Sequence, residues 1–205
     1  MIALIDYGIG NLLSVSKALE AVGAQVRIVE KGAELEKADA VVLPGVGNFG
    51  DGMENLCSRG FADALLSFIS TGRPYLGICL GMQLLMEASE EAPGVKGLGI
   101  FKGKVLRFPD RGLKVPHMGW NNVKIRMEHV NTKNLSDNSY FYFVHSYYVK
   151  PDDPEVTAAS SEYILEFASA IARRNIFAVQ FHPEKSQNNG LLILKNFVKS
   201  AEVSK

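Results

Sequence analysis

An α/β fold, with an open, mixed, mainly parallel sheet and helices on both faces, is what three features of this 205-residue chain lead one to expect. Short apolar runs alternate with amphipathic segments through the N-terminal half, which is the rhythm of β-α-β units. One run, "ADAVVLPG" from Ala38, is apolar almost throughout, as a strand covered on both faces has to be. Near Gly94 the texture changes to short β-rich runs, and no linker-like tract divides the halves, so these strands should extend the same sheet. Residues 1–205 are therefore read as one domain; with 47% hydrophobic residues the chain can fill one core and is short for two.

Taken in order, "MIALID" opens as a strand. Asn11 then caps a helix in which Leu12, Val15, Leu19 and Val22 recur at helical spacing. "QVRIV" is the second strand, "ADAVVLPG" the third, and "GFADALLSFISTGRP" a helix closed by Gly72 and Pro74. "YLGI" is the fourth strand, running into the helix "LGMQLLMEASE". Further strands fall at "GKVLRF", "SYFYFVHSYYV", "VTAASS", "FASAIAR" and "IFAVQFHPE", and "GLLILKNFVKSA" is the last helix.

Composition excludes several functions. Lys plus Arg and Asp plus Glu each number 22, so no net field draws the chain to nucleic acid or to an anionic membrane. No apolar run approaches the roughly 20 residues of a membrane span. The start "MIALIDYGIGN" has no signal-peptide pattern, so a cytoplasmic protein is expected. Cys57 and Cys79, without C-x-x-C spacing in a reducing compartment, form neither a disulfide framework nor a zinc site, and each thiol needs its own account.

Gly77-x-Cys79-x-Gly81, between a strand and a helix, has the form of a nucleophile elbow, in which a strained turn projects the reactive atom and its neighbours must be minimal. The bland alternative is a small buried cysteine with glycines that permit close packing. Cys57, in the amphipathic "MENLCSRGF", has no such setting and reads as structural. A cysteine nucleophile needs a base, and the base needs an orienting group. His182 ends the strand "IFAVQFHPEK"; Pro183 holds it extended and Glu184 can reach the same region. His145, inside "YFYFVHSYY", is an alternative base or a core histidine. His117 lies in the Gly/Trp-containing "PHMGWNNV", read as a loop, and His129 in exposed loop without a role. No pair has metal-ligand spacing, so no metal is expected. For the oxyanion of an acyl transfer, "LPGVGNFGDG" is a glycine-rich loop that can offer backbone N–H groups, and Leu80 supplies another. That loop lacks the Gly-Lys-Ser/Thr ending of a P-loop, and "DYGIGN" lacks the third glycine of a dinucleotide fingerprint.

"PGVG", "GICLGMQLL" and "HPEKS", in this order and setting, resemble the class I (triad) glutamine amidotransferases, over essentially the whole chain. The resemblance implies that Cys79 attacks the glutamine side-chain amide, that His182 carries the proton to departing ammonia, and that Glu184 orients His182. It places Gly47 and Leu80 at the oxyanion, and Gln83, Ser146 and Tyr147 around glutamine, with no cofactor. The chain has no room for a synthase domain, so ammonia implies a separate partner. "IDYGIGNL" and "PHMGWNNV" are similar to the branch of the family that forms a heterodimer with a (β/α)8-barrel cyclase subunit in histidine biosynthesis. Met118 and Trp120 would then lie at the interface. Two rivals are weaker. Cysteine hydrolases of the DJ-1/PfpI type carry a histidine directly after the elbow cysteine, where this chain has Leu80, and a non-catalytic scaffold would lack a triad member.

Overall fold

The computed structural model describes residues 1–203. The N-terminal half runs β1 (Ile2–Ile5), α1 (Leu12–Ala21), β2 (Val26–Val29), β3 (Ala40–Leu43), α2 (Phe49–Ser58), α3 (Phe61–Ser70), β4 (Tyr75–Ile78) and α4 (Leu80–Gln83). The second half adds β5 (Ala88–Ser89), β6 (Gly103–Arg107), β7 (His117–Ile125), β8 (Ser139–His145), β9 (Tyr147–Pro151), β10 (Thr157–Glu162), β11 (Glu166–Arg173), β12 (Ile176–Val179) and α5 (Gln187–Val203).

All the strands join one sheet, whose main path is β2-β1-β3-β4-β12-β11-β10-β7-β8, with β5, β6 and β9 branching beside it. From β2 to β12 every pairing is parallel, and from β12 outward along this path every pairing is antiparallel. β12 is therefore the seam, with Val179 opposite Ile78 on one side and opposite Ala170 on the other.

Alternation along the strands explains the two-sided core. In β3, Ala40 and Val42 face one apolar cluster while Val41 and Leu43 face the other. The first cluster takes Val15 and Leu19 of α1 with Leu194 and Phe197 of α5; the second takes Leu56 of α2 and Leu65 and Phe68 of α3. Helices thus cover both faces, and the central strands, buried on both sides, can carry an almost unbroken apolar sequence.

Several local expectations need correction. The proposed loop "LPGVGNFGDG" is loop only as far as Asn48, whose side chain accepts the Asp51 N–H at 2.8 Å and starts α2. The helix expected over "LGMQLLMEASE" stops at Gln83, because the next carbonyls are taken by another segment. Leu84 O accepts from Leu98 N, Leu85 O from Ile100 N and Phe101 N, and Met86 O from Gly99 N. With those acceptors occupied, i to i+4 bonding cannot continue. "PHMGWNNV" is not a loop but part of β7, and "SYFYFVHSYYV" breaks at Ser146 into β8 and β9. His129 is half-buried rather than exposed: it stacks on Phe177 at 4.9 Å and its Nδ1 accepts the Asn131 N–H.

Candidate active site

The sharpest backbone feature near the seam is at Cys79, which has φ 53° and ψ −106°. A non-glycine residue there is strained by about 1–3 kcal/mol, and such strain persists only where its surroundings hold it. Those surroundings are explicit. Cys79 N–H donates to Val179 O at 2.7 Å, tying the turn to β12. A Cβ on Gly77 would collide with the Gly81 carbonyl, one on Gly81 with the Leu43 carbonyl, and one on Gly45 with the Tyr7 hydroxyl and the Leu80 side chain. The three glycines permit the tight crossing of β3, β4 and α4 that the elbow expectation required.

β12 leads straight to the second group. Beyond Val179, Gln180 N–H donates to Ser169 O and His182 N–H to Tyr142 O. His182 then caps a short 3-10 turn, Pro183–Lys185. The turn is pinned by Ser186, whose hydroxyl donates to His182 O at 2.6 Å and accepts Tyr142 N–H at 3.0 Å. Because β4 and β12 are adjacent and parallel, Cys79 and His182 leave the same ends of neighbouring strands.

His182 Nδ1 lies 2.8 Å from Glu184 Oε1, and both side chains are 2% exposed. Nε2 of His182 has no nitrogen or oxygen partner, and the group that acts on it is the Cys79 sulfur. Burial alone would push this imidazole down. The charge and hydrogen bonding of Cys79, followed by the Glu184 hydrogen bond and charge, outweigh burial and carry His182 up to about 10. At neutral pH the arrangement is an imidazolium facing the sulfur, with Glu184 behind it.

Gln83 and Tyr147 meet on the other side of the thiol. Gln83 Nε2 donates to Tyr147 O and to Gln180 Oε1, each at 3.1 Å, while Gln180 Nε2 points at Cys79 Sγ, 3.6 Å away. Ser146 forms the break between β8 and β9, and its carbonyl accepts from Phe108 N. Leu80 N–H donates to Gly45 O at 3.4 Å, a long bond. Gly47, with φ 129°, lies on the exposed part of the turn, where a Cβ would meet only Ile9. Met118 and Trp120 stand on β7 at 62% and 47% exposure, with the Trp120 ring edge-on to Tyr142 at 6.3 Å and the Lys185 ammonium over Tyr142 at 5.7 Å. Cys57 is exposed on α2.

His145, the alternative base, has both ring nitrogens engaged. Its Nδ1 bonds Tyr147 O at 2.8 Å, and its Nε2 faces His117 Nδ1 at 3.0 Å. The carbonyl can only accept, so His145 carries its proton on Nδ1, and His117 Nδ1–H donates to His145 Nε2. His117 Nε2 then accepts from Asn121 Nδ2 at 3.3 Å. Burial pushes His117 down to about 4 and His145 down to about 3. Both ring nitrogens of each histidine are thus engaged, and burial holds both below the ordinary imidazole range.

Gln180 carries no role in the sequence reading, and His117 and His145 are not paired in it. Gln180 did leave a signal: Phe177, Val179 and Phe181 face one apolar cluster, so a glutamine in phase with His182 is a polar residue on a wholly buried strand. The histidine pair left none, since only the register of β7 on β8, with His117 opposite His145, brings the two rings together.

Comparison with known proteins identifies the family. The sequence profile of the family glutamine amidotransferase class-I matches residues 3–201. The chain is 51% identical over 197 residues to the imidazole glycerol phosphate synthase subunit HisH of Pyrococcus furiosus, covering 96% of this chain and 97% of that one. It is 50% identical over 198 residues to the same subunit of Chlorobaculum tepidum, covering 96% and 98%. Among solved structures, a glutamine amidotransferase superposes with TM-score 0.77 at 17% identity, covering 98% of this chain and 100% of that one. The glutaminase domain of Trypanosoma brucei CTPS with bound acivicin superposes at 0.72 and 20% identity, covering 98% and 93%. At those identities the structural matches speak to the fold alone.

Proposed function

The chain belongs to the glutamine amidotransferase class-I family, and on that footing we propose that it is the glutaminase subunit of an imidazole glycerol phosphate synthase, working in histidine biosynthesis. The observation that carries this is the strained Cys79 beside the buried His182–Glu184 pair, in a chain about half identical to HisH subunits over nearly their full length.

Cys79 sulfur attacks the side-chain amide carbon of glutamine, and the amide oxygen takes the negative charge of a tetrahedral intermediate. Leu80 N–H is the nearest oxyanion donor, with Gly47 in the adjoining turn. His182, protonated opposite the thiolate, gives its proton to the amide nitrogen as the carbon–nitrogen bond breaks, which releases ammonia and leaves a γ-glutamyl thioester. The now neutral His182 takes a proton from water, the hydroxide adds to the thioester, and glutamate leaves as the thiolate re-forms. Glu184 keeps Nδ1 protonated and Nε2 directed at the sulfur throughout. Gln83, Ser146 and Tyr147 hold the glutamine, with Gln180 fixing the amide of Gln83.

Ammonia passes to a (β/α)8-barrel cyclase subunit, docked on the side where Met118 and Trp120 stand exposed. The deciding experiment is glutamate release from glutamine by the purified chain, first alone and then with that cyclase and its nucleotide ligand. Release that rises strongly in the mixture supports the whole reading. Strong release indifferent to the cyclase keeps the glutaminase and removes the partner, and no release in either case removes both. Among the described residues no helix is long and apolar enough to cross a membrane.

A further inference from the structure

One buried polar atom beside the thiol has no work in this scheme. Tyr7 follows β1, its ring is fully buried, and its hydroxyl has no hydrogen-bond partner. An unpaired buried hydroxyl carries an uncompensated desolvation cost, and a phenylalanine would fill the same space without it. The nearby phenol of Tyr75, also buried, is satisfied, donating to Gly81 O at 3.0 Å. The orphan oxygen of Tyr7 therefore asks for a reason other than packing.

Its position supplies one. The Tyr7 oxygen lies against the α-carbon of Gly45, where any Cβ would collide with it and with Leu80. The Gly45 carbonyl is the acceptor of the Leu80 N–H, through the long 3.4 Å bond. That amide adjoins Cys79 and is the one an oxyanion needs. To serve the oxyanion it has to leave the carbonyl, and a buried carbonyl released without another donor would offset much of the gain.

We propose that the Tyr7 hydroxyl is a positioning donor: it takes over the Gly45 carbonyl when the Leu80 amide turns to the oxyanion formed from glutamine. The inference rests on the glutaminase reading above and adds to it a residue that touches neither substrate nor sulfur. Rotation about the Gly45 Cα–C bond swings the carbonyl without displacing the α-carbon that Tyr7 touches, and the missing side chain leaves room for it. Burial, and then the charge of Cys79, hold the phenol well above the ordinary tyrosine range, so it stays a donor at any working pH.

The test is Tyr7→Phe, which deletes one oxygen, assayed in the complex with the cyclase subunit and its ligand. Three quantities are read: glutamine turnover, thermal midpoint, and iodoacetamide alkylation of the Cys79 peptide by mass spectrometry, because exposed Cys57 also reacts. The expected result is kcat lower by about tenfold or more, with KM within a factor of about two. The midpoint should be equal or higher, and Cys79 alkylation unchanged. A purely structural phenol would leave kcat untouched, and that outcome overturns the proposal. So does a fall in kcat accompanied by slower alkylation or a lower midpoint, which would put the oxygen to work on the thiol or the fold. A wild-type complex that releases no glutamate removes the glutaminase reading and this inference with it, whereas an active wild type matched by an equally active Tyr7→Phe removes the inference alone.

Discussion

His182 Nδ1 stands 2.8 Å from Glu184 Oε1, and the far atoms of the same two side chains, Nε2 and Oε2, are buried with no nitrogen or oxygen partner. Burial apart, the influences on the imidazole therefore come from Cys79 on one side and Glu184 on the other. Glu184→Gln keeps the shape but removes a charge that helps hold His182 up near 10. Judged by other catalytic triads, kcat for glutamate release should fall by roughly 10²–10⁴ with a small change in KM. A loss under about threefold would mean that Glu184 does not orient the base.

Cys79→Ala should abolish glutamate release and lower the His182 pKa, because it deletes the largest influence raising it. Proton NMR of the ring C–H signals reads that shift. The same position carries a stability prediction. Cys79→Gly should be more stable than Cys79→Ala by about 1 kcal/mol, since glycine relieves the φ 53° strain and loses part of that gain to its freer unfolded chain. Chemical denaturation of the two variants gives the difference, and equal stability would show that the elbow is unstrained.

The buried histidines give opposite signs against pH. His117 and His145 have folded values of about 4 and about 3, below the ordinary 6.5, so the unfolded chain takes their protons first as pH falls. Their contribution is complete above about 6.5 and is lost as pH drops toward 4 and then 3. His182, raised to about 10, contributes stability that is complete below about 6.5 and lost as pH rises through 10. Denaturation from pH 4 to 8 should therefore show a shallower acid decline in His117→Gln/His145→Gln than in wild type, even though the variant is less stable at pH 7.5. Parallel curves would mean that the two rings take up protons as readily in the fold as in the unfolded chain.

Trp120→Ala should leave the thermal midpoint of the isolated chain nearly unchanged, because the ring is about half exposed. Binding to the cyclase should weaken by roughly 2 kcal/mol or more, as for a central aromatic anchor. Calorimetric titration separates the two quantities. Unchanged affinity would move the interface off β7.

Much of this was readable from the chain because local patterns agreed with the final architecture. The strand–Cys79–helix bend, the H-P-E step and the doubly buried β3 all rest on steric or burial rules that act within a few residues. What escaped depended on distant segments. α4 ended early because residues 98–101 took its carbonyls, and β7 formed on a Gly/Trp stretch because β8 offered it a ladder. Gln180 and Tyr7 were visible as residues, but their partners, or the lack of them, exist only once β3, β4 and β12 are side by side.

The adjacency of β4 and β12 also bears on how such a protein can change over generations. Gln180 and Cys79 are 101 residues apart in sequence yet meet across a single parallel strand pair. That pair and its flanking turns bring the thiol to the imidazole, and Tyr142 of β8 pins the His182 turn from outside it. The parts of the antiparallel extension that touch neither residue can lengthen, shorten or be resurfaced while Cys79 and His182 stay in register.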